Sequence, residues 1–293
     1  MKAFSDYHPF VLMTYFLSVT IISMFSVHPI FIGVSLFGAF CLFSLLTSGK
    51  DVLSNIAFYI PMFILISVTN PLFSHNGETP LFFLNDNPIT LEAILYGMAI
   101  SVMLIAVMFW FKSYSEVMTS DKFIYLFGKI IPKLSVILSM ALRFTPLYIK
   151  QIKRITRTQK TLGLYTSNSL TDRFLSSIRV FSSILTWSLE NAVDTADSMK
   201  ARGYGLKGRT HFSLFRFTKR DSYSLFFILI SDLVILCGFM LREVYFSYYP
   251  TVTDIRFSVF AQTIYVFFAF LSLFPAIIEI KENLKWKYLI SKI

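Results

Sequence analysis

The residues whose types and spacing could carry chemistry sit at the ends of two long helical patterns. Ser198-Met-Lys-Ala-Arg-Gly-Tyr-Gly205 closes the second of them. The glycine stops the helix, so Arg202 stands at its exposed tip within Ala201-Arg202-Gly203. An arginine there presents a rigid fork of donors suited to carboxylates in a partner groove. It also complements the helix dipole, which is the plainer reading for Lys160, Lys200 and Arg202. Glu190, Asp194 and Asp197 fall at i, i+4 and i+7 and share one helix face. They are expected to pair with Arg154, Arg157 or neighbouring bases on the other long helix. No His or Cys lies near them in sequence, so no metal site is expected.

Two further residues stand out. Asp232 is the charged residue lying well inside an apolar run, a position that is functional by default in a membrane. No other run offers it a charged partner, so it reads as buried and hydrogen-bonded rather than as a relay. His28 reads as a turn residue between two runs. Walker-type, H-E-x-x-H, C-x-x-C and G-x-S-x-G strings are missing, so catalysis, nucleotide binding and cofactors get no motif support. Cys41 and Cys237 both fall in apolar runs and read as small core residues.

These residues are carried by a chain that must use lipid as its solvent. Of 293 residues, 55% are hydrophobic and 17% aromatic, and only 15% are charged. A soluble domain carries about 25% charged residues. Apolar runs of spanning length lie near 10–26, 29–47, 53–70, 91–111, 223–242 and 257–278. Between Pro9 and Gly49 no Asp, Glu, Lys or Arg occurs. The first run has no cleavage site behind it and reads as a mature span. The expected fold is all-α and polytopic, with about six transmembrane helices. Residues 1–111 hold four spans, 112–222 a cytosolic insert, and 223–293 two spans and a basic tail.

The net charge of +10 is unevenly spread, with 19 of 27 basic residues in 112–222. The 70–90 segment has acids but no Lys or Arg, and reads as a loop rich in turn formers. The positive-inside tendency therefore places both termini and the insert in the cytoplasm. The basic Lys207–Arg220 run lies directly before a span, which argues for contact with anionic lipid over nucleic acid. Inside the insert, a short amphipathic helix is expected near 121–130. A longer one is expected over 133–163, perturbed at Pro146 and roughly 45 Å long. Ser169-Leu-Thr-Asp172 has the form of a capping box opening a last helix that runs to Arg202.

These features together resemble the transmembrane T component of energy-coupling factor (ECF) transporters, including the T subunits of cobalt uptake systems. The matching residues are His8-Pro9, Asn70-Pro-Leu-Phe-Ser74, Leu142-Arg-Phe-Thr-Pro146 and Asp194-Thr-Ala-Asp-Ser-Met-Lys-Ala-Arg-Gly-Tyr204. The basic run to Asp221 and a closing Pro275, Glu279 and Trp286 also fit. The resemblance implies two coupling helices in the cytoplasm, each ending in an arginine motif that docks on one of two ABC-type ATPases. It also implies a separate membrane-embedded S component that captures a vitamin or transition-metal ion. The chain would then be a non-catalytic subunit in the plasma membrane of a prokaryote.

Ala201-Arg202-Gly203 is similar to the second docking motif. The first departs from the pattern. Family members tend to read Ala-Gln-x-Ala-Arg-Gly, and this chain reads Thr158-Gln-Lys-Thr-Leu-Gly163. Lys160, Thr161, Leu162 and Gly163 then form the first tip, with Leu162 in the arginine's place. The charge there would come from Lys160 or Arg157, or the contact would be apolar. The competing reading is a self-contained secondary transporter, which calls for inverted repeats and charges near the membrane midplane.

Overall fold

The computed structural model describes residues 3–74, 76–84, 87–128, 131–163, 170–206 and 215–292. A 3-10 turn, Ala3–Asp6, precedes nine helices among those residues: α1 (Pro9–Phe25), α2 (Pro29–Leu46), α3 (Gly49–Phe73), α4 (Leu91–Val117), α5 (Ser120–Gly128), α6 (Pro132–Thr161), α7 (Leu170–Ala201), α8 (Lys219–Met240) and α9 (Val259–Ile290). The chain divides into two compact units. One comprises Met1–Phe123 and Phe215–Ile293, the other Ile124–Leu214. The second is narrower than the 112–222 stretch read from charge, because α4 carries its helix on to Val117.

Within the larger unit, α2, α3, α4, α8 and α9 are long and apolar enough to cross a membrane. The sixth expected span, α1, is equally apolar but has 17 residues, the lower end of what spans about 30 Å of hydrocarbon. Proline at the first position of α1 and α2 pre-sets the helical φ. His8 and His28 cap those helices, accepting from the backbone N–H of Phe10 and Ile30. His28 is thus the expected turn residue with an added bond. It is buried, and its Nε2 lies 3.0 Å from the Tyr265 hydroxyl on α9.

The core lies around α2, which packs on both α4 and α9, with α1 packed on α4 and α8. Trp110, Tyr15, Phe31 and Phe268 are fully buried there. Trp110 Nε1 donates to Ser35 Oγ at 3.0 Å, satisfying its polar edge inside the bundle. Gly38 lets α2 approach α9 closely. A Cβ at that position would sit 1.9 Å from Ser272 Oγ, the small-residue packing that membrane helices use in place of a hydrophobic driving force.

Polar staples tie down the end of the bundle that bears the N-terminus. Glu279 on α9 accepts from Phe4 N at 3.0 Å. Asp221 completes a capping box with Thr218 at the start of α8 and accepts from His8 N at 3.0 Å. Lys122 on α5 is buried and donates to the Ser5 and Val117 carbonyls. Burial pushes its ammonium pKa down, opposed by the nearby Asp6 carboxylate.

Several expectations are corrected. The 70–90 segment is not all loop: Pro80–Leu84 and Asn87–Thr90 pair as a short antiparallel hairpin. Asn70-Pro-Leu-Phe73 is the last turn of α3, so that helix runs past the expected end of its apolar run at 70. The final helix runs beyond 278 to Ile290. Cys41 is half-buried and Cys237 is exposed on the outside of α8, so neither is a fully buried core residue. Ser169 of the expected capping box and the 207–214 part of the basic run lie outside the described residues.

Candidate docking site at the helix tips

The smaller unit is built on α6 and α7. They pack through Tyr148 against Trp187, with ring centroids 5.6 Å apart and nearly perpendicular planes. Pro146 sits inside α6, which is continuous in its hydrogen-bonded assignment from Pro132 to Thr161. Both helices leave much apolar surface uncovered. On α7, Phe174, Ile178, Phe181, Leu185 and Leu189 are all exposed and recur at the spacing that puts them on one stripe. On α6, Leu134, Ile137 and Ile152 do the same.

The two helices end in the same way. After α7, Gly203 N donates to Lys200 O at 2.9 Å and Tyr204 N to Met199 O at 3.0 Å. Gly203 has φ +73°. That is a Schellman ending, with the glycine in the left-handed region and Arg202 as the residue just before it. After α6, Gly163 N donates to Lys160 O at 3.1 Å, Leu162 N donates to Thr158 O at 3.0 Å, and Gly163 has φ +71°. Leu162 therefore occupies the backbone position that Arg202 occupies on α7. Both side chains are exposed, Leu162 by 69%. Ala201, Lys160, Thr161 and Gly163 are exposed beside them.

Electrostatically the tips differ. Lys150, Lys153, Arg154 and Arg157 line a shallow concavity of about 420 Å³ on α6, together with Thr158 and Thr161. By helical spacing this basic stripe lies opposite the uncovered apolar residues of the same helix. Glu190, Asp194 and Asp197 share a face of α7 and are all exposed. Among the described residues no ion pair joins them to Arg154 or Arg157. Asp197 instead reaches Lys200 on its own helix at 3.7 Å, with both side chains largely in solvent. Exposed ion pairs contribute only about 0–1 kcal/mol and do not hold long side chains across a gap.

Asp232 has the surroundings expected of it. It is half-buried on α8 and accepts a hydrogen bond from Ser18 on α1. Among the described residues no group of three or more His, Cys, Asp or Glu clusters as metal ligands. Sequence reading missed the staples made by Glu279, Asp221 and Lys122. Each joins residues more than a hundred positions apart, and no local pattern announces such contacts.

The fold is thus that of a polytopic α-helical membrane protein whose second compact unit is built on α6 and α7. Its sequence matches the cobalt transport protein family (CbiQ) over residues 9–212, and the chain belongs to that family. Three curated relatives are described as "energy-coupling factor transporter transmembrane protein EcfT". The chain is 34% identical to the one from Listeria innocua over 110 residues, covering 37% of this chain and 40% of that protein. It is 29% identical over 109 residues to the one from Lactobacillus helveticus, covering 36% and 39%. With the one from Bacillus selenitireducens it shares 32% over 111 residues, covering 37% and 41%. The aligned region spans about two-fifths of the length of these relatives.

Proposed function

We propose that this chain is the coupling subunit of an ECF-type importer in the plasma membrane of a prokaryote, with both termini in the cytoplasm. In this reading two ABC-type ATPases dock on the tips of α6 and α7, at Lys160-Thr-Leu-Gly163 and Ala201-Arg202-Gly203. A membrane-embedded S component captures a vitamin or transition-metal ion, and this chain relays the ATPase motion to it without performing chemistry itself.

The observation that carries the reading is the end of α7. A Schellman turn ends α7 at Arg202, beyond a long apolar stripe that is exposed among the described residues. Exposed apolar area of that kind marks an interaction surface, and a fixed guanidinium at its end supplies directional recognition of a carboxylate. The two features suit a rod that is gripped along its side by one partner and at its tip by another. Co-expression with candidate ATPases from the same genome tests this. Retention of both on a tagged wild-type chain, and their loss with Arg202→Glu, is the expected outcome. Uptake of a labelled vitamin by vesicles holding this chain alone would overturn the reading.

A further inference from the structure

Helices α2 and α3 both pack on α4 but scarcely on each other. They splay apart and leave an intramembrane groove of about 400 Å³, almost wholly apolar. Ile105 and Phe109 of α4 form its floor, Phe37 and Phe40 of α2 one wall, and Ile56 and Phe63 of α3 the other. Tyr59 lines the same groove. Its ring lies beneath Lys112 Nζ, 5.2 Å from ring centre to nitrogen. Lys112 also donates to the side-chain carbonyl of Asn55. It sits near the end of α4, one turn beyond Phe109, so it marks the mouth of the groove on the side where α4 leaves the membrane.

The geometry points to a binding site for one anionic phospholipid, with an acyl chain in the groove and its phosphate on Lys112. Two observations converge on that occupant. The groove opens into the hydrocarbon region, where acyl chains are the available apolar matter. Lys112 is half-buried, and among the described residues its partners are a neutral amide and a ring face, not a carboxylate. Its positive charge is left for a ligand, and basic groups at the bilayer surface select anionic headgroups. Position 33 offers a clean handle. A Cβ on Gly33, which also lines the groove, would meet nothing within 4 Å, so a larger side chain there grows into the groove instead of into the fold.

The test is native mass spectrometry of the full chain in detergent, with phosphatidylglycerol or phosphatidylcholine of the same acyl chains added at equal mole fraction. Wild type is expected to retain one phosphatidylglycerol per chain and about tenfold less phosphatidylcholine. Lys112→Gln keeps a donor for Asn55 and should bring the two lipids to parity. Gly33→Phe should lose both. Equal retention of the two lipids by wild type would overturn the headgroup assignment. Phosphatidylglycerol surviving in both variants would overturn the site. So would a cross-link from Phe37→Cys to a second membrane protein in an assembled transporter, because it would make the groove a protein contact.

Discussion

The ends of α6 and α7 share a backbone and differ in nearly everything attached to it. Each helix stops at a glycine in the left-handed region, at φ +71° and +73°, and each projects the preceding side chain into solvent. On α7 that side chain is Arg202, above a face carrying Glu190, Asp194 and Asp197. On α6 it is Leu162, beside a stripe of Lys150, Lys153, Arg154 and Arg157. One tip concentrates positive charge at a point beyond an acidic helix. The other has an apolar point and spreads its charge back along the helix. On the proposed function, two tips that share a glycine stop but display unlike side chains suit two non-identical docking partners. The glycine stop fixes where the tip residue stands, and the residue itself sets the chemistry that the tip displays.

The largest expected effect comes from the point charge. Arg202→Glu should abolish coupled uptake in the assembled complex while leaving substrate binding by the isolated S component unchanged. Reversing one member of a desolvated charge pair costs about 2–5 kcal/mol, roughly a 30-fold or greater loss of ATPase affinity. Uptake assays paired with substrate binding to the S component measure both halves. If substrate binding falls as well, the arginine is not acting only at the ATPase tip.

Charge reversal on the α6 stripe should come next. The double variant Arg154→Glu with Arg157→Glu is expected to weaken docking about tenfold and to flatten its salt dependence, since exposed charges are screened over about 8–10 Å. Binding measured across a salt series checks this. A double variant with wild-type affinity and salt slope would show that the basic stripe is solvent-facing and that the α6 tip works through Leu162 alone.

A smaller effect is expected from the caps themselves. Gly203→Ala places a Cβ at positive φ, where it would also lie 2.9 Å from Leu206 Cδ1. Fraying of the last turn by about 1 kcal/mol should follow, read as faster hydrogen exchange at Gly203 and Tyr204. At Gly163 a Cβ meets nothing within 4 Å, so Gly163→Ala should cost only the φ strain. Equal exchange rates in the two variants would remove that distinction between the tips.

Much of this fold was legible in the sequence because lipid imposes a simple rule. Every spanning segment must be a long apolar helix, so runs of apolar residues translate almost directly into α1 to α4, α8 and α9. The helix tips were legible for a similar reason, as glycine after a periodic run is a stop signal. What stayed hidden has its own physical causes. The 80–90 hairpin is short and contains Pro80 and Pro88, which read as loop formers. The contact of Asp197 with Lys200 is a local i,i+3 pair that spacing does encode, but whether an α7 acid reaches Arg154 or Arg157 depends on distances between helices that spacing does not encode. The contacts of Lys112 with Asn55 and Tyr59 likewise join α4 to α3, and only the packing of those two helices brings them together.

On the proposed function, the equivalent positions 162 and 202 contribute unequally to docking. The most direct test is a titration of the purified ATPase pair onto the wild-type chain, Leu162→Ala and Arg202→Ala, each in the same lipid nanodisc. Loss of an exposed leucine side chain should cost less than its full burial value of about 1.5–3 kcal/mol, giving a change of a few-fold. Arg202→Ala should raise the dissociation constant by at least about tenfold more than Leu162→Ala does. Equal losses in the two variants would contradict the account and show that the α6 tip docks as strongly without an arginine as the α7 tip does with one.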